Sequence, residues 1–137
     1  MAFKNNILCF GVNQMADSDG LKAGIENIKK LRVEFWENLL VPGSDLELNQ
    51  NLEKAGRVAD FLELGELFAK DALSREESCG GHFREEFQDS EGETLRDDDK
   101  FKYVAAWQYQ DGNAKTATLH QEALNYEFIK IAARNYK

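Results

Sequence analysis

The sequence has few of the features on which many function classes depend. Its 137 residues include only two cysteines and one proline. No apolar run approaches the roughly 18 residues that a membrane-spanning helix needs. Lysine and arginine total 17 against 25 aspartates and glutamates, and the resulting net charge of −8 opposes binding to phosphate backbones and anionic lipid. These deficits argue against a disulfide scaffold, a membrane span and a nucleic-acid-binding protein.

Cofactor fingerprints and targeting signals are also missing from the sequence. No G-x-G-x-x-G follows a predicted strand and no P-loop is present, so the usual route to dinucleotide binding is excluded. The short apolar run near the N-terminus has no small-residue cleavage site after it, so we predict no signal peptide. Cys9 and Cys79 lie far apart and suit a reducing compartment. We therefore expect a cytoplasmic protein, with residues 1–137 forming a single domain.

Two long helices are the clearest signal. The first is predicted from about Asp19 to Leu40, with Ser18 as its N-cap and Pro42-Gly43 as its stop. Its apolar residues recur at three- and four-residue steps, which places them on one stripe. The members of that stripe are Leu21, Ile25, Ile28, Leu31, Phe35 and Leu39.

The second helix is predicted to begin between Ser44 and Leu52 and to run to about Arg75. Ser44 with Glu47 makes a capping-box pattern, while Asn49 is an equally good later cap. The helix carries two adjoining apolar stripes, which indicate neighbours on two sides and an antiparallel bundle. One stripe is Val58, Leu62, Gly65, Ala69 and Ala72, and the other is Phe61, Leu64 and Phe68.

The N-terminal apolar residues, Ile7, Leu8, Phe10 and Val12, are interpreted as the stub of a third helix. This stub is too short to cover a helix of about 25 residues, so we expect that a helix of the bundle lies upstream of this chain.

The rest of the chain has a different character. Gly80-Gly81 is expected to end any helix, and Glu85 to Lys100 is predicted to be an acidic surface loop. Alternation from Phe101 to Gln110, a turn at Asp111-Gly112 and a return over Thr116 to Leu124 predict a β-hairpin. The tail, 126–136, fits a helix or a strand equally.

The predicted fold class is therefore mainly α. An antiparallel bundle of two long helices plus an N-terminal stub is followed by an acidic loop and a C-terminal β-hairpin with an extended tail. We divide the domain into a helical hairpin at 19–76, a turn and acidic loop at 77–100, and a hairpin and tail at 101–137.

The stretch SREESCGGHFREEF, Ser74 to Phe87, holds the candidate chemistry. Cys79 could be a nucleophile with His82 as its base and Arg84 favouring the thiolate. However, residues three apart across two glycines are not expected to face each other. A zinc site of Cys79, His82, Cys9 and His120 is a second alternative, although structural zinc sites use two tight pairs of ligands.

A third alternative is a calcium loop at Asp89 to Glu93, where acids alternate but the glycine falls at the fourth position instead of the sixth. A solvated acidic loop is the simpler interpretation. From the residues alone we predict no catalytic, cofactor-binding or metal-ligating residue in this chain. We interpret the stretch as a structural corner, in which the glycines reverse the chain and His82 and Arg84 hold it in place.

The stretch from Glu77 to Glu86, ESCGGHFREE, resembles the E-S-R-G-x-H-x-R-x-D motif of succinate dehydrogenase and fumarate reductase flavoprotein subunits, which L-aspartate oxidase shares in part. Arg96-Asp97-Asp98 resembles the R-D-D that precedes the family's terminal hairpin, and Arg134-Asn135-Tyr136 resembles a family ending. Departures fall at three positions: Cys79 where Arg is common, Gly81 where Ala is usual and Glu86 where Asp is usual.

The resemblance implies the C-terminal helical domain of an oxidoreductase subunit. The parent subunit interconverts succinate and fumarate with FAD in the tricarboxylic acid cycle and electron transport, and its catalytic residues lie outside this domain. Implied partners are the flavin-binding domain of the same subunit and an iron–sulfur subunit, at the cytoplasmic face of the inner membrane. Separately, if a bundle helix is missing, the stripe of Phe61, Leu64 and Phe68 is left uncovered, and we expect a homodimer or another assembly to cover it. The implied positions for contact between domains are Glu77, Ser78, Gly80, Gly81, His82 and Arg84.

Overall fold

A computed structural model describes residues 17–44, 48–110 and 117–132. The chain divides into two compact units, with the boundary between Asp97 and Asp98. The first unit contains helices α1 (Ser18–Asn38) and α2 (Gln50–Ser74). The second contains a short helix, α3 (Asp98–Phe101), and strands β1 (Tyr103–Gln108) and β2 (Thr118–Ala123). The predicted fold class is confirmed, whereas the grouping of residues 1–137 into one domain stays a prediction.

Helix α1 begins one residue before the predicted start and ends two residues before the predicted end. The N-cap is Asp17, not Ser18, because the Asp17 carboxylate accepts a hydrogen bond from the Gly20 amide at 2.6 Å. Ser18 is the first residue of the helix. The predicted stripe is buried at Leu21, Ile25, Ile28 and Phe35, but Leu39 lies beyond the helix end and is exposed.

Helix α2 begins after the later of the two candidate caps. The Asn49 side chain accepts from the amides of Asn51 and Leu52, which satisfies donors of the first turn. Glu47, the other half of the alternative capping box, lies outside the described residues.

The two stripes of α2 have different surroundings. Leu62 and Ala69 of the first stripe are buried against α1, in one cluster with Ile28 and Phe35 and another with Leu21 and Ile25. The residues of the second stripe are largely exposed: Phe61 at 57%, Leu64 at 48% and Phe68 at 65%. Within the described residues, α2 therefore packs on one long helix. The apolar N-terminal residues that were expected to form a stub lie outside the described ranges.

The segment after α2 is more structured than a loop. The helix ends at Ser74, one residue before the predicted end at Arg75, and no helix continues through Gly80-Gly81. These glycines form the tip of a tight turn between Cys79 and His82, which pair as an isolated antiparallel bridge. A second bridge joins Gln88 to Thr94 inside the predicted acidic loop. The end of that loop forms α3.

The β-hairpin is confirmed with shorter strands than predicted. β1 and β2 pair antiparallel in one continuous register, from Tyr103 opposite Ala123 to Gln108 opposite Thr118. Tyr103, Ala105 and Trp107 are half-buried, while their neighbours along β1 are exposed, as the alternation predicted. The Asp111-Gly112 turn lies outside the described residues. Residues 124–132 of the tail form neither a helix nor a strand. Among the described residues, no helix is long and apolar enough to cross a membrane.

We expect Leu62→Ala to lower the free energy of unfolding by about 3 kcal/mol, because this truncation removes buried contacts with Ile28 and Phe35. Leu52→Ala is the matched control, since it removes the same atoms from the same helix at a side chain that is 61% exposed. The control should change stability by less than about 0.5 kcal/mol. Urea unfolding followed by circular dichroism measures both, and equal losses would contradict this packing.

Candidate functional site

The candidate site is the corner formed by Glu77–Glu86, directly after α2. The last carbonyl groups of a helix have no partner within the helix and must find one elsewhere. Two of the donors at this helix end are local: the hydroxyl of Ser74, the last residue of α2, and the amide of Arg75 both donate to the Asp71 carbonyl, at 2.8 and 3.1 Å. The other donors come from the motif.

Arg84 supplies donors to the end of α2. Its Nη1 atom lies 3.0 Å from the Ala72 carbonyl and 3.4 Å from each of the Leu73 and Arg75 carbonyls. The residue is only 2% exposed, so its charge is buried. A guanidinium is well suited to this position because it has five fixed donors and its charge complements the negative end of the helix.

The other edge of the same guanidinium binds Glu86. The Arg84 Nε and Nη2 atoms donate to the two carboxylate oxygens at 3.2 and 3.1 Å, and the guanidinium carbon lies 5.3 Å from the centre of the Phe87 ring. The Glu86 Oε1 atom also accepts from the backbone amide of Ser18 at 2.5 Å. The Arg84–Glu86 pair therefore joins the C-terminal end of α2 to the N-terminal end of α1.

This arrangement changes the acidity of Glu86. The hydrogen bond from Arg84 lowers the pKa of Glu86 from 4.5 to about 2, the amide of Ser18 contributes in the same direction, and partial burial opposes both. Each partner also complements a helix end, because a carboxylate stabilises the N-terminus of a helix and a cation stabilises the C-terminus.

Ser78 fastens the turn from inside. It is fully buried, and its hydroxyl donates to the Arg84 carbonyl at 3.1 Å while accepting from the Arg84 amide at 2.8 Å. The Ser78 amide donates to the Leu95 carbonyl at 2.9 Å. Because the amide and the carbonyl of Arg84 both bind this one hydroxyl, the backbone that carries the arginine side chain is held in place.

Glu77 and His82 tie the corner to the segments on either side. The buried Glu77 carboxylate contacts Arg75 Nη1 at 2.8 Å and accepts from the Asp97 amide at 2.9 Å. The Nε2 atom of His82 lies 3.1 Å from the Arg75 carbonyl. Since a carbonyl oxygen can only accept, this nitrogen carries the hydrogen. Both side chains face the protein's own backbone.

The glycines of the turn differ in what they require. Gly80 has φ of +60°, a left-handed conformation that L residues rarely adopt. Gly81 has no such φ, and a Cβ placed there meets nothing within 4 Å. The structure therefore accommodates alanine at 81, the residue usual in the flavoprotein motif.

The described geometry favours a structural interpretation of each alternative site. Cys79 and His82 are joined through their peptide groups, at 2.8 and 3.0 Å, and the imidazole Nε2 atom is directed at a carbonyl. In the calcium alternative, one Asp89 oxygen already accepts from the amides of Glu91 and Glu93, which closes a turn. Across residues 17–44, 48–110 and 117–132, no group of three or more potential ligands is arranged to hold a metal. Cys9, the remaining residue of the zinc alternative, lies outside those ranges.

The corner does not fit a flavin either. A dinucleotide's phosphates need donors that point outward, whereas the described donors of Arg84, His82 and Ser78 point at the chain's own carbonyls and carboxylates. We therefore derive no chemical step from these residues.

Sequence reasoning missed a buried ionic cluster between the helices. Glu66 on α2 is completely buried, and its carboxylate lies 2.7 Å from Arg32 on α1 and 3.0 Å from Lys70. The signal was present in the spacing, since Glu66 follows Leu62 by four residues and Arg32 follows Ile28 by four. Both charges therefore fall on the apolar stripes that face each other.

Comparison with protein families identifies the chain. The family model described as the fumarate reductase flavoprotein C-terminus matches residues 7–136. The chain belongs to this family, as the ESCGGHFREE resemblance indicated. No match is found among curated proteins.

We expect Gly80→Ala to destabilise the fold by about 1 kcal/mol, since a Cβ is disfavoured at a left-handed φ. Gly81→Ala is the matched control and should be neutral or slightly stabilising, because its site has room and alanine restricts the unfolded chain. Thermal unfolding of the two variants separates them. Equal effects would show that the turn differs from the one described.

Glu86 should contribute to stability in a pH-dependent way. Its folded pKa lies below its ordinary value, so the contribution is complete above about pH 4.5 and is lost as the pH falls towards 2. We expect Glu86→Gln to be less stable than the parent at neutral pH and to lose less stability over that acid range. Glu85→Gln, at an exposed neighbouring acid, is the control. Parallel pH profiles for the parent and Glu86→Gln would contradict the interaction.

Proposed function

We propose that this chain serves as the non-catalytic, C-terminal helical domain of a flavoprotein subunit that interconverts succinate and fumarate with FAD. One observation supports this above all: the donors of the family motif that the structure describes bind the protein's own backbone and carboxylates. A motif of this kind builds a domain and does not perform chemistry. The redox reaction then belongs to the rest of the parent subunit.

The proposed cofactor and partners follow from the family. FAD would be held by the flavin-binding domain of the same subunit, and electrons would pass to an iron–sulfur subunit. The parent would act in electron transport and the tricarboxylic acid cycle, peripherally at the cytoplasmic face of the inner membrane. In this proposal the present chain contributes no ligand to the flavin.

We propose the motif corner as a contact between this domain and the rest of the subunit. Gly80 and Gly81 are exposed at the tip of the turn, while Ser78, Glu77 and Arg84 beneath them are buried. His82 is half-buried and ties the turn to Arg75. Such a tip has no bulky side chains, and this suits close approach of another backbone.

The second stripe of α2 is a separate contact surface in this proposal. Phe61, Leu64 and Phe68 expose large apolar side chains on one side of the helix, and contiguous exposed apolar surface promotes association. In the parent, we propose that another part of the subunit covers this stripe. In the isolated chain, a second copy would cover it, giving a homodimer.

A free-standing helical interaction module is the alternative function. It would share the corner and the exposed stripe but have no flavin-binding sequence attached. The reading frame upstream of the Met1 codon distinguishes the two. A frame that continues into a strand–helix unit with G-x-G-x-x-G supports the subunit, whereas a stop codon and a ribosome-binding site there support the module.

The isolated chain provides the direct biochemical test. We expect the purified protein to be colourless, to bind no added FAD and to oxidise no succinate with an artificial electron acceptor. The matched positive control is the longer protein read from the upstream frame. Stoichiometric flavin on the 137-residue chain would contradict the proposal.

A further inference from the structure

Strand β2 has one edge that faces away from β1, here called the open edge. The Leu124 amide donates to the Lys102 carbonyl, and these two residues extend the register of the hairpin. Hydrogen-bonded and non-bonded pairs alternate along an antiparallel ladder. The backbone groups of Leu119, Gln121 and Ala123 therefore point away from β1. Within the described residues, no third strand joins the sheet at this edge.

The open edge lacks three of the usual protections against strand pairing. Natural edge strands are blunted by proline, lysine or a bulge. The β2 sequence, TLHQEA, contains no proline or lysine, and its register with β1 runs without a bulge. All its residues except Leu119 are exposed.

We propose that the edge of β2 pairs with β2 of a second copy of this chain. The two strands would lie antiparallel about a two-fold axis at Gln121, making a continuous four-stranded sheet. Gln121 would exchange backbone hydrogen bonds with its equivalent, and Leu119 would do so with Ala123 of the second copy. Such a contact is isologous, because each strand supplies the same residues.

Charge complementarity selects this occupant and this register. His120 and Glu122 project from the same face of β2, and the His120 ring is held there by Gln108, at 2.7 Å from Nε2 to Oε1. Pairing about Gln121 places each His120 opposite Glu122 of the second copy, so an imidazole that carries the positive charge meets a carboxylate twice. A shift of two residues one way sets Glu122 against its own equivalent, which is unfavourable. The opposite shift sets His120 against its own equivalent and forms no opposite-charge pair.

The opposite face of the sheet agrees with this register. Trp107 on β1 is paired with Leu119 on β2. The proposed register would place Leu119 beside Ala123 of the second copy. An apolar row would then continue across the new strand pair. The contact remains small, and the net charge of −8 on each chain opposes it, so we expect a weak, reversible dimer.

Gln121→Pro tests the backbone contact. Proline removes the outward amide at the two-fold axis, while the Gln121 amide takes no part in the bonds to β1. We expect the dissociation constant, measured by sedimentation equilibrium, to rise at least about tenfold, equivalent to about 1.4 kcal/mol. The circular dichroism spectrum should not change. The same measurement in a Phe61→Ser/Phe68→Ser background removes any association through the apolar stripe of α2.

A charge exchange tests the register and does not rely on the proline variant folding. His120→Glu alone makes β2 acidic, and Glu122→Lys alone makes it basic, so each variant should be monomeric. An equimolar mixture should form a heterodimer, because Glu at 120 then faces Lys of the other chain at 122.

The proposal would be overturned if the Phe61→Ser/Phe68→Ser variant were monomeric at all concentrations. A dimer that is unaffected by Gln121→Pro would also overturn it, as would a mixture of charge variants that stays monomeric. None of these results bears on the flavoprotein assignment, because the proposal rests on β2 alone.

Discussion

The ion pair between Arg84 and Glu86 joins the C-terminal end of α2 to the N-terminal end of α1. The first of these helix ends favours a positive charge and the second a negative charge. An antiparallel helix pair brings the negative C-terminus of one helix close to the positive N-terminus of the other. Arg84 donates to the carbonyls at the end of α2, and Glu86 accepts from the first amide of α1. The bidentate contact therefore links a side chain bound to the end of α2 with a side chain bound to the start of α1, and the Ser78 hydroxyl holds the Arg84 backbone.

The interior of the hairpin adds a second ionic constraint. Glu66 lies between Arg32 and Lys70 with its carboxylate fully buried, so the apolar clusters on either side must align at one register of α1 against α2. Buried ion pairs add little net stability, but breaking one is costly, and this suits a role in fixing register. Outside this interface, Phe61, Leu64 and Phe68 are exposed, and this stripe is the surface that we propose another part of the subunit covers.

The spacing of apolar residues predicted the buried faces of the helices and of the β-hairpin. The α1 stripe except for Leu39, the first stripe of α2 and the hairpin alternation follow from spacing, and the structure agrees with them. The cap of α2 was left open between two candidates, and the structure has Asn49. The N-cap of α1 was misassigned because Asp17 and Ser18 are both good caps and only backbone geometry separates them. The sequence predicted that His82 and Arg84 hold the corner in place, and both donate to backbone carbonyls. The sequence did not predict that Glu86 pairs with Arg84 and binds the start of α1. The contact between Glu86 and Ser18 spans 68 positions and leaves no local pattern.

A double-mutant cycle on Arg84 and Glu86 tests the central claim most directly. The free energy of unfolding would be measured at neutral pH for the parent, Arg84→Gln, Glu86→Gln and the double variant. The account predicts that the double variant is more stable than the sum of the single losses implies, with a coupling of about 1 kcal/mol or more. Additive losses, within about 0.5 kcal/mol, would contradict it and show that each residue acts on its own helix end without the other.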